Sequence, residues 1–154
     1  MGLSLPKHFN RKIARAIAEF NLIEKEDNIL VCVSGGKDST FLLYALAVFR
    51  EHFAIDFNLG ALTVELGFEE EGDYTSLKNW CARLGVPYYK EETQIAKTLL
   101  AEESKSSCAQ CSYFRKGVMT DFVQNKKYNK LAFGHHYDDA VETFLMSIIY
   151  SGQI

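Results

Sequence analysis

Six consecutive residues, Ser34-Gly35-Gly36-Lys37-Asp38-Ser39, collect what an anion requires: two glycines, a cation, a carboxylate and two hydroxyls. The glycines let the backbone turn tightly and bring its N–H groups close to a phosphate. A helix beginning behind them would add the positive end of its dipole, and Lys37 adds a mobile charge. The segment is not the G-x-x-x-x-G-K-[ST] loop, because Val31 stands five residues before Gly36 and Asp38 follows Lys37. By type alone it could be an ordinary strand-to-helix turn. Its setting argues for a phosphate cradle, since the apolar run Ile29-Leu30-Val31-Cys32-Val33 leads in and Phe41-Leu42-Leu43-Tyr44-Ala45-Leu46 follows.

A second constellation is Gly134-His135-His136-Tyr137-Asp138-Asp139, entered through Leu131-Ala132-Phe133. It again reads as strand, glycine turn and helix start, so in a parallel sheet both turns share the carboxyl edge and face one site. Asp139 and Glu142 have capping-box spacing; one of Asp138 and Asp139 is expected to cap the helix, leaving the other spare. A carboxylate beside a bound phosphate would need a cation between them. Paired histidines also suggest zinc, but adjacent residues on a turn rarely aim at one metal. Cys108-Ala109-Gln110-Cys111 could be half a zinc site, a redox pair or chance. It stands before a helix carrying Arg115 and Lys116, where positive charge would favour thiolates.

The elements that must position these groups alternate. A continuous β-branched run suits a strand covered on both faces of a parallel sheet. Residues 6–21 read as an amphipathic helix with Phe9, Ile13, Ile17 and Phe20 inward, and Glu24 to Asn28 as a polar turn. Beyond the cradle the pattern predicts a helix to about Phe49, a strand at Leu59 to Val64, a helix from Tyr74 to Leu84 and a short strand Val86-Pro87-Tyr88-Tyr89. An irregular or weakly helical stretch to Ser107 follows. Then come a helix from about Ala109 to Gln124, a strand Lys130 to Phe133 and a last helix from near Asp138. The fold class expected is α/β, a doubly wound parallel sheet with its ligand at the strands' carboxyl ends. Residues 1–26 form an N-terminal helix and turn, and 27–154 a nucleotide-binding domain with an inserted Cys-x-x-Cys.

A chain of 154 residues, 47% hydrophobic, suits one domain; at that size about 68–70% of the unfolded surface is buried. No apolar run approaches the roughly 18 residues of a membrane span, and Met1 to Asn10 lacks an apolar signal core. A cytoplasmic protein follows, with its four cysteines reduced or metal-bound. Cys32 and Cys81 read as core thiols. The net charge of −3 gives no uniformly basic surface. Basic residues nevertheless gather at Lys7, His8, Arg11, Lys12 and Arg15, and at Arg115, Lys116, Lys126, Lys127 and Lys130. Acids gather at Glu69, Glu70, Glu71 and Asp73. Local patches and ordinary solvated faces are both consistent with that distribution.

Ser-Gly-Gly-Lys-Asp-Ser is similar to the signature of the PP-loop ATP pyrophosphatases, an adenine nucleotide alpha-hydrolase-like fold whose members split ATP between the α and β phosphates to adenylate a substrate oxygen. Gly-His-His-x-Asp-Asp resembles that family's second motif. With Cys-x-x-Cys-Ser-x-x-Arg between them, the order resembles the tRNA thiolation enzymes of the 2-thiocytidine type over nearly the whole chain. The resemblance implies ATP binding by Ser34, Gly35, Gly36, Lys37, Asp38, Ser39, Gly134 and His135, with adenine received by backbone at Thr63-Val64-Glu65. It implies catalytic roles for Lys37, Arg115 and Asp139, Mg²⁺ on Asp38 and Asp139, and a 4Fe-4S cluster on Cys108 and Cys111. The implied partners are tRNA and a sulfur donor such as a cysteine desulfurase or sulfide, with a homodimer an option. The implied reaction adenylates the C2 oxygen of an anticodon-loop cytidine and replaces it with sulfur. A lysidine-type or amide-forming ligase and a non-catalytic ATP-binding module are the alternatives. In the family a third cysteine follows the last helix; here the sequence ends at Ser151-Gly152-Gln153-Ile154, so the expectation is a domain without its C-terminal part.

Overall fold

A computed structural model describes residues 2–67, 73–101 and 108–152. Its elements are α1 (Lys7–Phe20), β1 (Asn28–Cys32), α2 (Lys37–His52), β2 (Asn58–Glu65), α3 (Thr75–Arg83), β3 (Tyr88–Glu92), α4 (Ile95–Ala101), α5 (Cys108–Lys126), β4 (Lys130–Phe133) and α6 (Tyr137–Met146), closed by a π turn at Ser147–Ser151. The strands form one sheet in the order β3-β2-β1-β4, and every pairing is parallel.

β1 lies centrally because it has no polar face to offer water. Its side chains alternate across the sheet into two cores. Ile29, Val31 and Val33 join Leu43, Leu59, Ala61 and Cys81 on one side, while Leu30 and Cys32 meet Leu62, Met119 and Phe122 on the other. Helices α1, α2 and α3 contribute to the first core and α5 to the second, giving the doubly wound arrangement expected. The sheet's amino edge is tied by Asp27, 4% exposed, whose carboxylate accepts from Lys130 Nζ at 2.6 Å, Asn129 Nδ2 at 2.8 Å and the Glu24 N–H at 2.7 Å.

Several boundaries and faces differ from expectation for physical reasons. In α1, Ile17 is buried and Ile13 packs on the core, but Phe9 and Phe20 are 41% and 66% exposed. The inward stripe is narrower than the periodicity suggests, because α1 meets the domain along one side of α2. β3 begins at Tyr88 rather than Val86 and continues through Lys90-Glu91-Glu92. Its register, Thr63↔Lys90 to Glu65↔Glu92, is held by backbone pairing with β2, which requires no apolar side chains. Pro87 precedes the strand, and its carbonyl accepts the Ala61 N–H at 2.9 Å. The segment expected to be irregular or weakly helical contains the short helix α4, while 102–107 lie outside the described residues, as do Glu69, Glu70 and Glu71. Lys130 does not belong to a solvent-facing basic group, because its ammonium is committed to buried Asp27.

Candidate functional site

A cavity of about 790 Å³ opens at the carboxyl edge, bounded by the ends of β1, β2 and β4 and by one side of α5. The β1–α2 turn forms its floor. Gly35 has φ +83, a conformation that favours glycine. Gly36 is the N-cap of α2 in extended conformation, with no side chain capping the helix. The loop's own groups are instead tied behind it. Ser39 Oγ donates to the Gly36 carbonyl at 3.1 Å and accepts the Ser34 N–H at 3.2 Å. Thr40 Oγ1 donates to the same carbonyl at 2.9 Å. Thr63 Oγ1 donates to the Val33 carbonyl at 2.7 Å, fixing the end of β1 against β2. Rigidly held amides at an uncapped helix N-terminus suit phosphate oxygens.

The β4–α6 turn rests directly on this floor. A Cβ added at Gly134 would lie 2.6 Å from Ser39 N and 2.8 Å from both Asp38 C and Ser39 Cα. Only glycine permits so close an approach of two backbones, so the second motif is seated on the first turn of α2. Asp139 Oδ2 accepts the His136 N–H at 2.7 Å, the return half of a capping box. Of the two adjacent aspartates it is therefore Asp139 that joins the cap, as the N3 partner of His136 rather than as an N-cap paired with Glu142, leaving Asp138 without that duty. The rings of Phe133 and His135 stack with centroids 5.8 Å apart.

Of the residues singled out from sequence, Ser34, Gly36, Asp38, Ser39, Thr63, Val64, Arg115, Gly134 and His135 line the cavity together. Gly35 and Lys37 belong to the same turn but are not among the lining residues, and neither are Asp139 and Cys111. Cys111 lies one helical turn before Arg115 on α5, and Cys108 opens that helix; the Cys108 side chain is outside what is described. Among the described residues no group of three or more His, Cys, Asp or Glu is arranged to hold a metal ion. Cys32 and Cys81 are buried. Burial pushes the Cys32 thiol up to about 12, against a downward pull from Arg115. Its Sγ lies 3.5 Å from Met119 Sδ. Neither buried cysteine is a ready thiolate.

The cavity also includes Tyr74 and Thr143, which sequence reasoning did not select, Glu65, which it named only for its backbone, and Ser112 and Lys116, which it noted beside the Cys-x-x-Cys without assigning them to this site. Ser112, Arg115, Lys116 and Met119 recur at helical spacing, a signal available in the sequence once Arg115 is placed on the wall. Glu65 gave less warning, since an acid ending an apolar strand ordinarily marks its exit to solvent.

Residues 5–153 match the PP-loop domain family. The chain is 36% identical over 155 residues to a tRNA-cytidine(32) 2-sulfurtransferase 1 of Francisella tularensis subsp. novicida, covering 97% of this chain and 57% of that protein. It is 36% identical over 156 residues to the tRNA-cytidine(32) 2-sulfurtransferase of Hahella chejuensis, covering 97% and 53%. The chain thus spans a little over half the length of these relatives. Its fold matches that of the U34-tRNA thiolase NcsA of Methanococcus maripaludis, solved with its [4Fe-4S] cluster, with a TM-score of 0.76 at 24% identity over 96% of this chain and 50% of that one. With the cradle, the second glycine turn and the parallel sheet between them accounted for, the chain belongs to the PP-loop domain family.

Proposed function

We propose that this chain is the nucleotide-binding part of an ATP-dependent tRNA sulfurtransferase acting on a cytidine of the anticodon loop. The observation that carries the reading is the single cavity uniting the uncapped start of α2, the Gly134 turn and Arg115. The similarity to the two tRNA-cytidine sulfurtransferases supports the choice of substrate.

In this reading the triphosphate of ATP lies on the amides of Gly36 to Asp38, and the base lies against the end of β2 at Thr63 and Val64. Asp38, on the cavity wall, would be the residue to hold a Mg²⁺, which would supply positive charge against the phosphates. Asp139 would reach such an ion only with the oxygen not engaged by the His136 N–H. The cytidine C2 oxygen attacks the α-phosphorus, the bond to the β-phosphate oxygen breaks, and pyrophosphate departs. Fixed amides, Lys37 and Arg115 stabilise the charge that accumulates on the phosphates, which is the work of a preorganised site. Sulfur then replaces the adenylated oxygen and AMP leaves. Cys108 and Cys111, at i and i+3 in the first turn of α5, offer two soft thiolate ligands suited to an iron–sulfur cluster. Bound there, a 4Fe-4S cluster would supply sulfur to the activated base. Exposed Lys7, Arg11 and Lys12 on α1 provide cations for tRNA phosphates.

The test is pyrophosphate release from ATP in the presence of tRNA. Lys37→Ala should lower it about 10²-fold or more with the melting temperature unchanged, whereas equal turnover in both proteins rejects the assignment. Iron and acid-labile sulfide should be present in anaerobically purified protein and absent from Cys108→Ser/Cys111→Ser. Zinc, or no metal after reconstitution, removes the cluster from the reading and leaves an ATP-binding domain.

A further inference from the structure

Glu65 closes β2, lines the cavity, and holds its Oε2 away from solvent with no hydrogen-bond partner among the described residues. A buried carboxylate oxygen without a donor is costly, more so than a neutral acceptor, so it marks a place completed by something else. Among the described residues the surrounding side chains do not complete it. Thr63, two residues earlier on the same face of the strand, commits its hydroxyl to the Val33 carbonyl. Lys90, on the neighbouring strand, directs Nζ to Glu92 at 3.1 Å and stands over the Tyr74 ring at 5.7 Å. Tyr74, which also lines the cavity, is coupled to this carboxylate. Burial first, and then a hydrogen bond to Glu65 and its charge, push the Tyr74 phenol up. Among the described residues Oε2 is nevertheless left without a partner.

The chemistry of ATP narrows what can arrive. Its ionised phosphates carry no donor and are repelled by a carboxylate. Donors are found only in the nucleoside, at the 6-amino group of adenine and at the ribose hydroxyls. The cavity has matching polarity. The α2 amides with Arg115 and Lys116 make one end positive, Glu65 makes the end of β2 negative, and Val64 and Leu66 add apolar surface beside it. We propose that Glu65 is a specificity-determining residue that accepts a hydrogen bond from an N–H or O–H of the nucleoside and so fixes which end of ATP faces the Ser34–Ser39 turn. This rests on the reading of the cavity as an ATP site.

The experiment is equilibrium binding of ATP, inosine triphosphate, 2′-deoxyATP, 3′-deoxyATP and inorganic tripolyphosphate to the 154-residue chain, to Glu65→Met and to Glu65→Gln. Wild-type protein should bind ATP about tenfold or more tightly than the one analogue that lacks the paired donor. Inosine triphosphate identifies the 6-amino group, and the deoxy analogues identify a hydroxyl. Glu65→Met should bind ATP about tenfold more weakly, lose the discrimination, and keep its affinity for tripolyphosphate. Glu65→Gln, which retains a carbonyl oxygen, should fall between the two. Equal binding of ATP and every analogue by wild-type protein overturns the proposal without reference to any variant. Full discrimination surviving in Glu65→Met with an unchanged melting temperature also overturns it. If the wild-type chain binds neither ATP nor tripolyphosphate, the ATP reading fails and this inference falls with it, a pattern distinct from the other two.

Discussion

The turns β1–α2 and β4–α6 share one local grammar: a short parallel strand, a glycine, and a helix with acidic residues in its first turn. Their helix starts end differently. At α6 the Asp139 carboxylate folds back onto the His136 N–H, so this terminus supplies its own anion. At α2 the hydroxyls of Ser39 and Thr40 turn backward onto the Gly36 carbonyl, and no side chain covers the helix start. The first turn leaves its helix start uncapped and the second is already satisfied, serving as a wall seated on the first through Gly134. An acidic residue in a first turn is therefore a poor guide to ligand binding until its hydrogen-bond partner is known.

The largest effect that could break this contrast is expected at Gly134. Gly134→Ala forces a Cβ against the backbone of Asp38 and Ser39, and overpacking of this kind costs about 1–3 kcal/mol. Urea unfolding should show that loss together with weakened ATP binding. Gly117→Ala is the control, since its Cβ would meet nothing within 4 Å in the middle of α5. That change should gain about 0.5–1 kcal/mol. If both substitutions shift stability alike, the two turns do not lean on each other.

Ser39→Ala and Asp139→Ala separate the turns by readout. Ser39→Ala removes the hydroxyl joining the Ser34 N–H to the Gly36 carbonyl. It should weaken ATP binding about tenfold through a less ordered cradle, roughly one hydrogen bond's worth of free energy. Asp139→Ala should cost about 1 kcal/mol of stability as a lost cap and leave ATP affinity nearly unchanged. Equal losses of affinity in both variants would show that Asp139 acts on the nucleotide rather than on its helix.

Much of this arrangement was legible because it is local. A β-branched run, a Gly-Gly turn and a following apolar helix declare themselves within twenty residues, and Gly134-His135-His136 repeats the declaration. What was not legible depends on partners distant in sequence. Lys130 resembled a member of a basic surface group, yet its partner Asp27 is 103 residues away. Phe9 and Phe20 fit a helical stripe whose width is set by how much of α1 meets α2. Lys90-Glu91-Glu92 does not look like a strand, because its order comes from the β2 backbone. The side chain of Glu65 acquires meaning only when β2 ends inside a cavity rather than at its rim.

The smallest expected effect concerns the opposite edge of the same strands, where β1 and β4 are joined by charge rather than by a glycine contact. Burial alone would raise the Asp27 pKa, but hydrogen bonds from Lys130, the Glu24 N–H and Asn129, with the Lys130 charge, outweigh it and hold the group below its ordinary value. A carboxylate with a depressed folded pKa stabilises fully above its unfolded value and loses that contribution as pH falls through the folded one. Stability should therefore be flat from neutral pH down to the ordinary carboxylate range and decline below it. Asp27→Asn should be less stable at neutral pH and should decline less on acidification, as read from urea midpoints along a pH series. Because β4 carries Gly134 into place, acidification of wild-type protein should also release the second turn while the first, held by neutral hydroxyls, persists. Amide exchange slowing or quickening together in both turns, or an acid limb as steep in Asp27→Asn as in the wild type, would remove the ion pair from that role.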